Sequence, residues 1–382
     1  MLLNEEQAMI RDTARAFAQE KLAPFAAERD RQSSYPRSVL KEMGDLGFMG
    51  INVPHEWDGA GCDTVTMAAI TEEIAAGDAA ISTIISAHNS VSCMPIARFG
   101  TEAQKEKYLR KMVSGEWLGN FCLTEAHGGS DAGAMTTRAV RHGDHYVLNG
   151  SKQFITSGKT ADVAIIFAKT NPDAGIKGIS AFIVPTDTPG YTVVRVETKL
   201  GQHASDTCQL SFDNMMVPVE NLLGTEGDGF RIALSNLESG RIGIGAQAVG
   251  IARAAYEFAL QYANERKVFG KVIIEHQAVG FRLARMASRI EMARQMVLHA
   301  AALKDAGKPC LMEACMAKLE ASEAAEQVCS DAIQTLAGYG YLNDFPVERL
   351  ARDARITKIY EGTNDIQHLV ILREIQRRGL GH

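Results

Sequence analysis

Long apolar stretches are missing from this chain of 382 residues. Hydrophobic residues make up 46% of it and charged residues 23%, but no segment has the roughly 18 uninterrupted apolar residues that a membrane-spanning helix needs. The first residues, MLLNEEQAMIRDTARAF, have the pattern of an amphipathic helix and not the basic-then-apolar order of a signal peptide. We therefore expect a cytoplasmic globular protein without a membrane span, long enough for two or three domains.

Concentrated positive charge and paired cysteines are also missing. The formal net charge is −6 and the lysines and arginines form no dense block, so the sequence gives no indication of nucleic-acid binding. The seven cysteines include no C-x-x-C pair, and none lies beside a histidine at metal-ligand spacing. We expect small buried thiols, with no disulfide and no metal.

Proline is scarce in the last part of the chain, where only Pro309 occurs between residues 219 and 345. Apolar residues recur there at spacings of four and three, which places them on one face of a helix: Val279, Leu283, Met286, Ile290, Ala293, Val297 and Ala300. Long helical patterns at about 228–265, 273–306, 310–338 and 346–377 predict an antiparallel four-helix bundle.

The earlier parts of the chain have different patterns. Residues 4 to about 113 are mostly helical in pattern, whereas HYVLNGSKQFIT, DVAIIFAKT, GISAFIVP, YTVVRVET and TCQLSFDNMMVP are strand-like runs without helices between them. Such runs predict an antiparallel sheet or barrel. The expected fold is therefore α+β and mainly α, with an N-terminal helical domain (1–118), a middle antiparallel β domain (119–225) and a C-terminal four-helix bundle (226–382).

Two glycine-containing segments of the β region are candidate ligand sites. FCLTEAHGGSDAGAM (121–135) could bring backbone N–H groups and hydroxyls to a phosphate or to the polar edge of a flavin, or it could be an ordinary glycine turn. In GSKQFITSG (150–158), Phe154 and Thr156 are two residues apart and are expected on the same side of a strand. They could cover a planar ring, or they could simply pack in the core.

One carboxylate lies where two predicted helices meet. Glu361, in RITKIYEGTNDIQHLV (355–370), could be solvated or paired with Arg349, Arg352 or Arg355. It could equally be a general base in an apolar pocket. The glycine break in QTLAGYGYL (334–342) and the turn in ERKVFGKVIIEHQ (265–277) have similarly ordinary interpretations when each is taken alone.

Taken together and in this order, these segments resemble the acyl-CoA dehydrogenase family along essentially the whole chain. Cys122-Leu123-Thr124-Glu125 with Gly128-Gly129-Ser130-Asp131 is similar to one family signature, QTLAGYGYLNDFPVERLARD to a second, and IYEGT to the segment with the catalytic glutamate. ESGRIGIGAQAVGIA and DARITKIYEGTNDIQ most resemble the short-chain, butyryl-type members, with isobutyryl and other short branched-chain enzymes close behind.

The resemblance implies FAD as cofactor and an acyl-CoA as substrate. It implies that Glu361 removes the α-proton. In another branch of the family the base immediately precedes the equivalent of Arg241, and here that position is Gly240. The flavin-binding residues that it implies are Phe121, Cys122, Leu123, Thr124, Gly129, Ser130, Phe154, Ile155, Thr156, Arg266, Phe269, Gln277, Gln334, Thr335, Ala337, Gly338, Thr363 and Asp365. The implied substrate contacts are Ser130, Glu238, Ser239, Gly240, Arg241, Tyr360 and Gly362.

The sequence departs from the family pattern at a few positions. Ala126-His127 replaces a proline and a small residue, Phe154 replaces a common tryptophan, Ala337 replaces a glycine, and His203 replaces a usual arginine. The two histidines could favour a polar acyl tail, or they could be loop residues with local hydrogen bonds.

The resemblance also implies partners. We expect a homotetramer, built as a dimer of dimers in which Arg266 and Gln277 complete a neighbour's FAD site, and an electron-transfer flavoprotein as electron acceptor. The expected reaction is α,β-dehydrogenation of a short-chain, possibly branched, acyl-CoA to the trans-2-enoyl-CoA. Alternatives are action on a carrier-protein-bound or polar acyl group, or flavin binding without catalysis.

Overall fold

The computed structural model describes residues 1–379, and its first domain is helical, as predicted. Helix α1 begins after Asn4, whose side chain accepts a 2.8 Å hydrogen bond from the Gln7 backbone N–H while the Gln7 side chain accepts one from Asn4. The α-helices are α1 (Glu5–Phe17), α2 (Ala26–Gln32), α3 (Arg37–Asp45), α4 (Thr64–Gly77), α5 (Ala79–Ala87), α6 (Met94–Phe99), α7 (Glu102–Gln104) and α8 (Arg110–Val113). The π-helical segments Ala18–Leu22, His88–Cys93 and Lys105–Leu109 adjoin them.

The middle region forms one sheet. Its strands are β1 (Gly119–Cys122), β2 (Arg138–His142), β3 (His145–Thr156), β4 (Val163–Lys169), β5 (Ile179–Pro185), β6 (Tyr191–Val196), β7 (Thr207–Pro218) and β8 (Leu222–Leu223). Their order is β6-β7-β3-β2-β4-β5-β8, with β1 alongside β4. Most neighbours are antiparallel, but β1 pairs with β4 in parallel and so does β2. The sheet is therefore mixed, which corrects the prediction of a purely antiparallel one.

The C-terminal region is again helical. After α9 (Gly229–Ser235) come α10 (Leu237–Glu265), a small hairpin of β9 (Lys267–Val268) and β10 (Lys271–Val272), α11 (Gln277–Asp305) and α12 (Leu311–Leu336). The predicted run 346–377 consists of two helices, α13 (Pro346–Arg355) and α14 (Asn364–Arg378). Six of the seven residues of the apolar face predicted for α11 are buried, and the seventh, Val279, is half-buried. The fold class is confirmed, and the exact domain limits stay a prediction.

The two helical regions share one hydrophobic core. Residues of α1, α4 and α5 pack with residues of α10, α11, α12 and α13 in a single buried cluster. A smaller cluster joins the helices near residues 93–113 to the inner face of the sheet. None of the helices described between residues 1 and 379 is long and apolar enough to cross a bilayer. The start of α10 and the end of α13 both pack into the shared core, which fixes the position of the break between α13 and α14 relative to α10.

Candidate active site

Glu361 lies in a short, strained break between α13 and α14. A 3₁₀ turn (Ile356–Lys358) follows α13, and Glu361 and Gly362 then adopt positive φ angles of 53° and 87°. A positive φ is easy for glycine but uncommon for a residue with a side chain. Thr363 caps α14 by accepting a 3.4 Å hydrogen bond from the Ile366 backbone N–H. The strain at Glu361 must therefore be held by contacts from other elements.

The Glu361 carboxylate lies against the backbone of α10. A Cβ placed on Gly240 would come within 2.8 Å of Glu361 Oε2 and 3.2 Å of Oε1, so only glycine leaves this space free. Burial raises the pKa of Glu361, and the charges of Arg241 and Lys318 act in the opposite direction. The group is thus a desolvated carboxylate near two cations, which suits a general base.

The cations near Glu361 are not the ones that the sequence suggested. Arg352 hydrogen-bonds to Asp30 and Glu348, and Arg355 lies 3.5 Å from Glu326. Arg241, on α10, and Lys318, on α12, face the carboxylate instead. The interpretation of Glu361 as an ion pair with Arg352 or Arg355 is therefore wrong.

Tyr360 is anchored in a buried polar cluster where the three regions of the chain meet. Its hydroxyl donates to Gln247 Oε1 of α10 and lies 3.2 Å from Thr83 Oγ1 of α5. The Gln202 side chain, from the segment before β7, is 3.5 Å from the same hydroxyl and also hydrogen-bonds to Asp353. Burial raises the pKa of Tyr360 to about 12. Tyr360 therefore fixes the position of the residue that follows it.

The two predicted flavin segments of the sheet lie side by side. The Gln153 backbone N–H donates to Thr124 O at 2.9 Å, and buried Lys152 donates to both Leu123 O and Glu125 Oε1. Gly129 and Ser130 are exposed, as is 64% of Phe154. The structure thus brings residues 121–130 and 154–156 to one edge of the sheet.

The strand pattern at Phe154 differs from the expectation. A register shift between Lys152 and Ile155 and a φ of 60° at Phe154 mark a bulge in β3. The bulge interrupts the two-residue alternation of side chains along β3, so the spacing of Phe154 and Thr156 does not place them on the same side of the strand. A bulge can turn an aromatic side chain outward at the end of a strand, which the sequence pattern could not show.

The remaining predicted flavin residues cluster at a second place, beside the β9–β10 hairpin. A groove of about 550 Å³ is lined by Arg266, Phe269, Gln334, Thr335, Ala337 and Gly338 among others. Phe269, at the tip of the hairpin, is 92% exposed. Gln277 is exposed at the first residue of α11, next to groove residue His276. At the break, Thr363 is the N-cap of α14, and Asp365 is exposed.

The predicted substrate residues lie around the start of α10. Glu238 is half-buried and accepts hydrogen bonds from Lys304 at 3.2 Å and from Cys310 at 3.7 Å. Ser239 is half-buried, whereas Arg241 is buried and its Nε has no hydrogen-bond partner within residues 1–379. A buried unpaired donor beside Glu361 fits a site that receives a polar ligand.

The two unusual histidines have local partners. His203 Nδ1 is 2.9 Å from Asp30 Oδ1, and its Nε2 is 2.8 Å from Lys199 O. His127 is exposed, with Nε2 3.2 Å from Ala134 O. These contacts favour the interpretation of both as loop histidines.

Three family models match this arrangement of helical, β and helical regions. They are described as the N-terminal, middle and C-terminal domains of acyl-CoA dehydrogenase, and they match residues 4–116, 120–215 and 227–376. The chain belongs to the acyl-CoA dehydrogenase family. It is therefore a flavin-dependent oxidoreductase that acts on CH–CH bonds, and FAD is its cofactor.

Individual relatives cover nearly the full chain. An acyl-CoA dehydrogenase of Bacillus subtilis (strain 168) is 51% identical over 371 residues, covering 97% of this chain and 98% of the relative. The structure of butyryl-CoA dehydrogenase from Megasphaera elsdenii is 43% identical with a TM-score of 0.96, covering 99% and 100% of the two chains. A chain from a structure described as an electron transferring flavoprotein of Acidaminococcus fermentans is 46% identical with a TM-score of 0.97, covering 99% of each.

Sequence reasoning missed several polar residues of this acyl-CoA dehydrogenase site. They are Thr83, Gln202, Gln247, Lys318 and Asp353. Lys318 lies in ACMAKLEASEAA (314–325), which also contains two glutamates, so its neighbours in the chain do not distinguish it from a lysine on a solvated helix face.

Proposed function

We propose that this chain catalyses FAD-dependent α,β-dehydrogenation of a short-chain acyl-CoA to the trans-2-enoyl-CoA, with Glu361 as the base that removes the α-proton. The observation that supports this most directly is the Glu361 carboxylate, desolvated against Gly240 and faced by Arg241 and Lys318. Its raised pKa makes it a stronger base than a solvated carboxylate once it is ionised.

The roles of the protein groups follow from this geometry. Glu361 takes the α-proton and becomes a neutral acid, so that two electrons remain for the new double bond. Bound FAD would supply the two-electron acceptor, N5 of the flavin, for the β-hydride. Arg241 and Lys318 keep the carboxylate ionised before the reaction, and the Tyr360 cluster keeps the break in place.

The residues present fit FAD at the two places described above. The exposed Gly129 and Ser130 provide donors, Phe154 provides an exposed aromatic face, and the groove with Arg266 provides a cation beside a concave surface. We propose that residues 121–130 and 154–156 contact the flavin bound to the same chain, and that the hairpin and residues 334–338 contact the other half of an FAD bound to a neighbouring copy.

The deciding experiment is anaerobic flavin reduction by a panel of acyl-CoAs. The FAD-loaded protein should lose its flavin absorbance when a short acyl-CoA is added. Glu361→Gln should retain FAD and acyl-CoA binding yet reduce its flavin about 10² to 10⁴-fold more slowly, or slower still. Normal reduction by Glu361→Gln would exclude it as the base, and flavin that no acyl thioester reduces would indicate a binding protein without turnover.

The substrate is proposed to have an acyl chain of about four to six carbons, which the likeness to a butyryl-CoA dehydrogenase supports. Each methylene that a pocket buries contributes only about 0.8 kcal/mol, so the preference should be graded. Values of kcat/KM for butyryl-, isobutyryl-, hexanoyl-, octanoyl- and glutaryl-CoA test this, with a carrier-protein thioester alongside. An optimum at octanoyl-CoA or longer would contradict the short-chain assignment, and glutaryl activity would favour a polar tail.

A homotetramer is proposed because exposed aromatic residues lie around the groove beside the β9–β10 hairpin. Phe269 is 92% and Tyr341 87% exposed, and such apolar patches commonly mark interfaces. We infer that a second copy covers the hairpin, with Arg266 and Gln277 completing that copy's FAD site. Light scattering on the active enzyme should give a tetramer, and an active monomer would contradict the proposal.

The proposed electron acceptor is an electron-transfer flavoprotein. The similarity to a chain of the Acidaminococcus fermentans structure supports this partner. Turnover should then depend on such a protein and should reduce oxygen slowly. Peroxide formation as fast as turnover with an artificial acceptor would argue against it.

A further inference from the structure

Lys318 is a buried cation on α12 that lies beside the break containing Glu361. Its side chain has no exposed surface and lies on α12 among the buried residues Ala317, Leu319 and Ala321. Its Nζ donates to Gly362 O at 2.9 Å and to Asn364 Oδ1 at 2.8 Å. Both acceptors are neutral, so these hydrogen bonds do not neutralise the charge that the burial makes costly.

The two acceptors lie on either side of the break that contains Glu361. Gly362 has a φ of 87°, and Asn364 is the first residue of α14. Ser322, one turn after Lys318 on α12, exchanges hydrogen bonds of 3.1 and 3.2 Å with the Asn364 side chain. Helix α12 therefore holds the chain directly after the base at two points.

Gln367, on α14, also hydrogen-bonds to the backbone carbonyls of the break. Its Nε2 donates to Glu361 O at 3.2 Å and to Gly362 O at 2.8 Å. The carbonyls of both left-handed residues thus have buried donors. Lys318 is the only one of these donors that also has a charge, and among its neighbours Glu361 favours that charge.

The charged groups facing Lys318 come from three elements. Burial lowers the pKa of Lys318 to about 8, Glu361 raises it, and Arg241 of α10 lowers it, with Glu323 and Cys315 of α12 raising it. Glu323 is itself hydrogen-bonded to Lys358 and to Asn364. Glu361 is therefore the carboxylate to which the charge of Lys318 is most strongly coupled.

We propose that Lys318 is a positioning residue for Glu361: it fixes the strained Glu361–Gly362 pair through the Gly362 carbonyl, and its charge keeps the neighbouring carboxylate ionised. This rests on the proposed function, in which Glu361 is the base. A residue that only anchors the helices would stabilise the fold and leave the titration of the base unchanged.

The first test is the pH dependence of anaerobic flavin reduction by butyryl-CoA in Lys318→Met holoenzyme. Without the cation, Glu361 should ionise at higher pH, so the midpoint of the rate profile should rise by about one pH unit or more. At pH values below the wild-type midpoint, flavin reduction by Lys318→Met should then be about tenfold slower than by the wild type. Lys358→Met is the matched control, because it removes a positive charge from the same region, where Glu323 and Glu326 already pair with that lysine. Its midpoint should stay at the wild-type value.

The second test needs no turnover. Melting temperatures of the FAD-loaded wild type, Lys318→Met, Glu361→Gln and the double variant form a cycle that measures the coupling of the two side chains. Lys318→Met should lower the melting temperature by several degrees more when Glu361 is present than when Gln replaces it. Equal losses in both backgrounds, together with an unmoved pH midpoint, would overturn the proposal, as would an equal shift in Lys358→Met.

Two outcomes are kept distinguishable by this design. If no acyl-CoA reduces the wild-type flavin, the proposed function fails, while the melting cycle still decides whether Lys318 and Glu361 are coupled. If Lys318→Met does not fold, Lys318→Gln retains hydrogen-bond donors without the charge. It should show the same shift of the midpoint with a smaller loss of stability, and an unshifted profile would again overturn the inference.

Discussion

The middle and C-terminal regions each bury one lysine completely, and the two lysines have different partners. Lys152, on β3, donates to the Glu125 carboxylate at 2.9 Å and to Leu123 O at 3.1 Å. Lys318, on α12, donates only to neutral oxygens of Gly362 and Asn364. Lys152 is therefore neutralised by a carboxylate in direct contact. The charge of Lys318 is not neutralised by a hydrogen-bonded partner, so it can act on Glu361.

The carboxylates near these lysines, Glu125 and Glu361, have pKa values shifted in opposite directions. Burial raises the pKa of Glu125, but Lys152 and hydrogen bonds from Thr136 and Thr137 outweigh it and lower that pKa to about 2. For Glu361, burial prevails over Arg241 and Lys318, and its pKa is raised. Glu125 therefore stays ionised as part of the scaffold of the loop, whereas Glu361 can exchange a proton. The same buried residue type supports a scaffold in one place and a titrating group in the other.

The largest loss of stability is expected from breaking the buried ion pair between Lys152 and Glu125. Lys152→Met leaves Glu125 buried and uncompensated, which should lower the free energy of unfolding by about 3–5 kcal/mol. FAD should also be retained less well, because residues 123–125 and 152–154 would separate. Urea titration of the holoenzyme and the FAD content after dialysis measure both.

The matched control for that change is the double variant Lys152→Met with Glu125→Gln. Removing both charges should recover much of the lost stability, since no buried carboxylate is then left unpaired. If the double variant were as unstable as the sum of the two single ones, Lys152 would not be acting as the partner of Glu125.

A smaller effect is expected from filling the space beside the base. The Cβ of Gly240→Ala would lie 2.8 Å from Glu361 Oε2, so the carboxylate has to move. A displacement of about 1 Å can slow a reaction about 10²-fold, and we expect a loss of this size in flavin reduction with acyl-CoA binding largely retained. The rate constant of reduction and the dissociation constant, measured in one stopped-flow series, separate the two.

The Glu361→Asp background sharpens this test. Its carboxylate is shorter by one methylene, so the added methyl group should cost less there than in the wild type. An equal loss in both backgrounds would mean that Gly240→Ala acts through the helix and not through the carboxylate.

The sequence predicted the features of this site that are local along the chain. The helix break, Glu361 and the neighbouring Gly240 were identified from short motifs and from the family resemblance, as were the two loops at the sheet edge. Lys318 was not, because its role depends on contact with residues 44 and 46 positions further on. A lone lysine in a helical pattern normally indicates a solvated face.

The sheet shows the same limit. Strand-like runs without helices between them predicted a sheet correctly, but the parallel pairing of β1 with β4 joins segments that are far apart in the chain. The bulge at Phe154 has no glycine or proline at that residue to indicate it. Pairing partners and bulges are set by the packing of the whole domain, which a single strand pattern does not contain.

The smallest effect on stability is expected at Asp353, a buried acid to which no lysine of residues 1–379 donates a hydrogen bond. Burial raises its pKa to about 7, Gln202 N–H and Arg349 oppose this, and Asp30 and Asp78 add to it. Because this pKa lies above the ordinary value for an aspartate, the folded protein binds an extra proton between about pH 4 and 7. The stability that this provides is complete below about pH 4 and is lost as the pH rises through about 7.

Asp353→Asn retains an oxygen that can accept from Gln202 N–H at the position where Asp353 Oδ1 now accepts that hydrogen bond. The amide does not titrate, so the free energy of unfolding of the wild type relative to this variant should fall by about 2 kcal/mol between about pH 5 and pH 7. The exposed Asp344→Asn serves as the control and should run parallel to the wild type. A constant difference between wild type and Asp353→Asn would mean that Asp353 stays ionised, and the buried cluster around Tyr360 would then tolerate a charge that no lysine compensates.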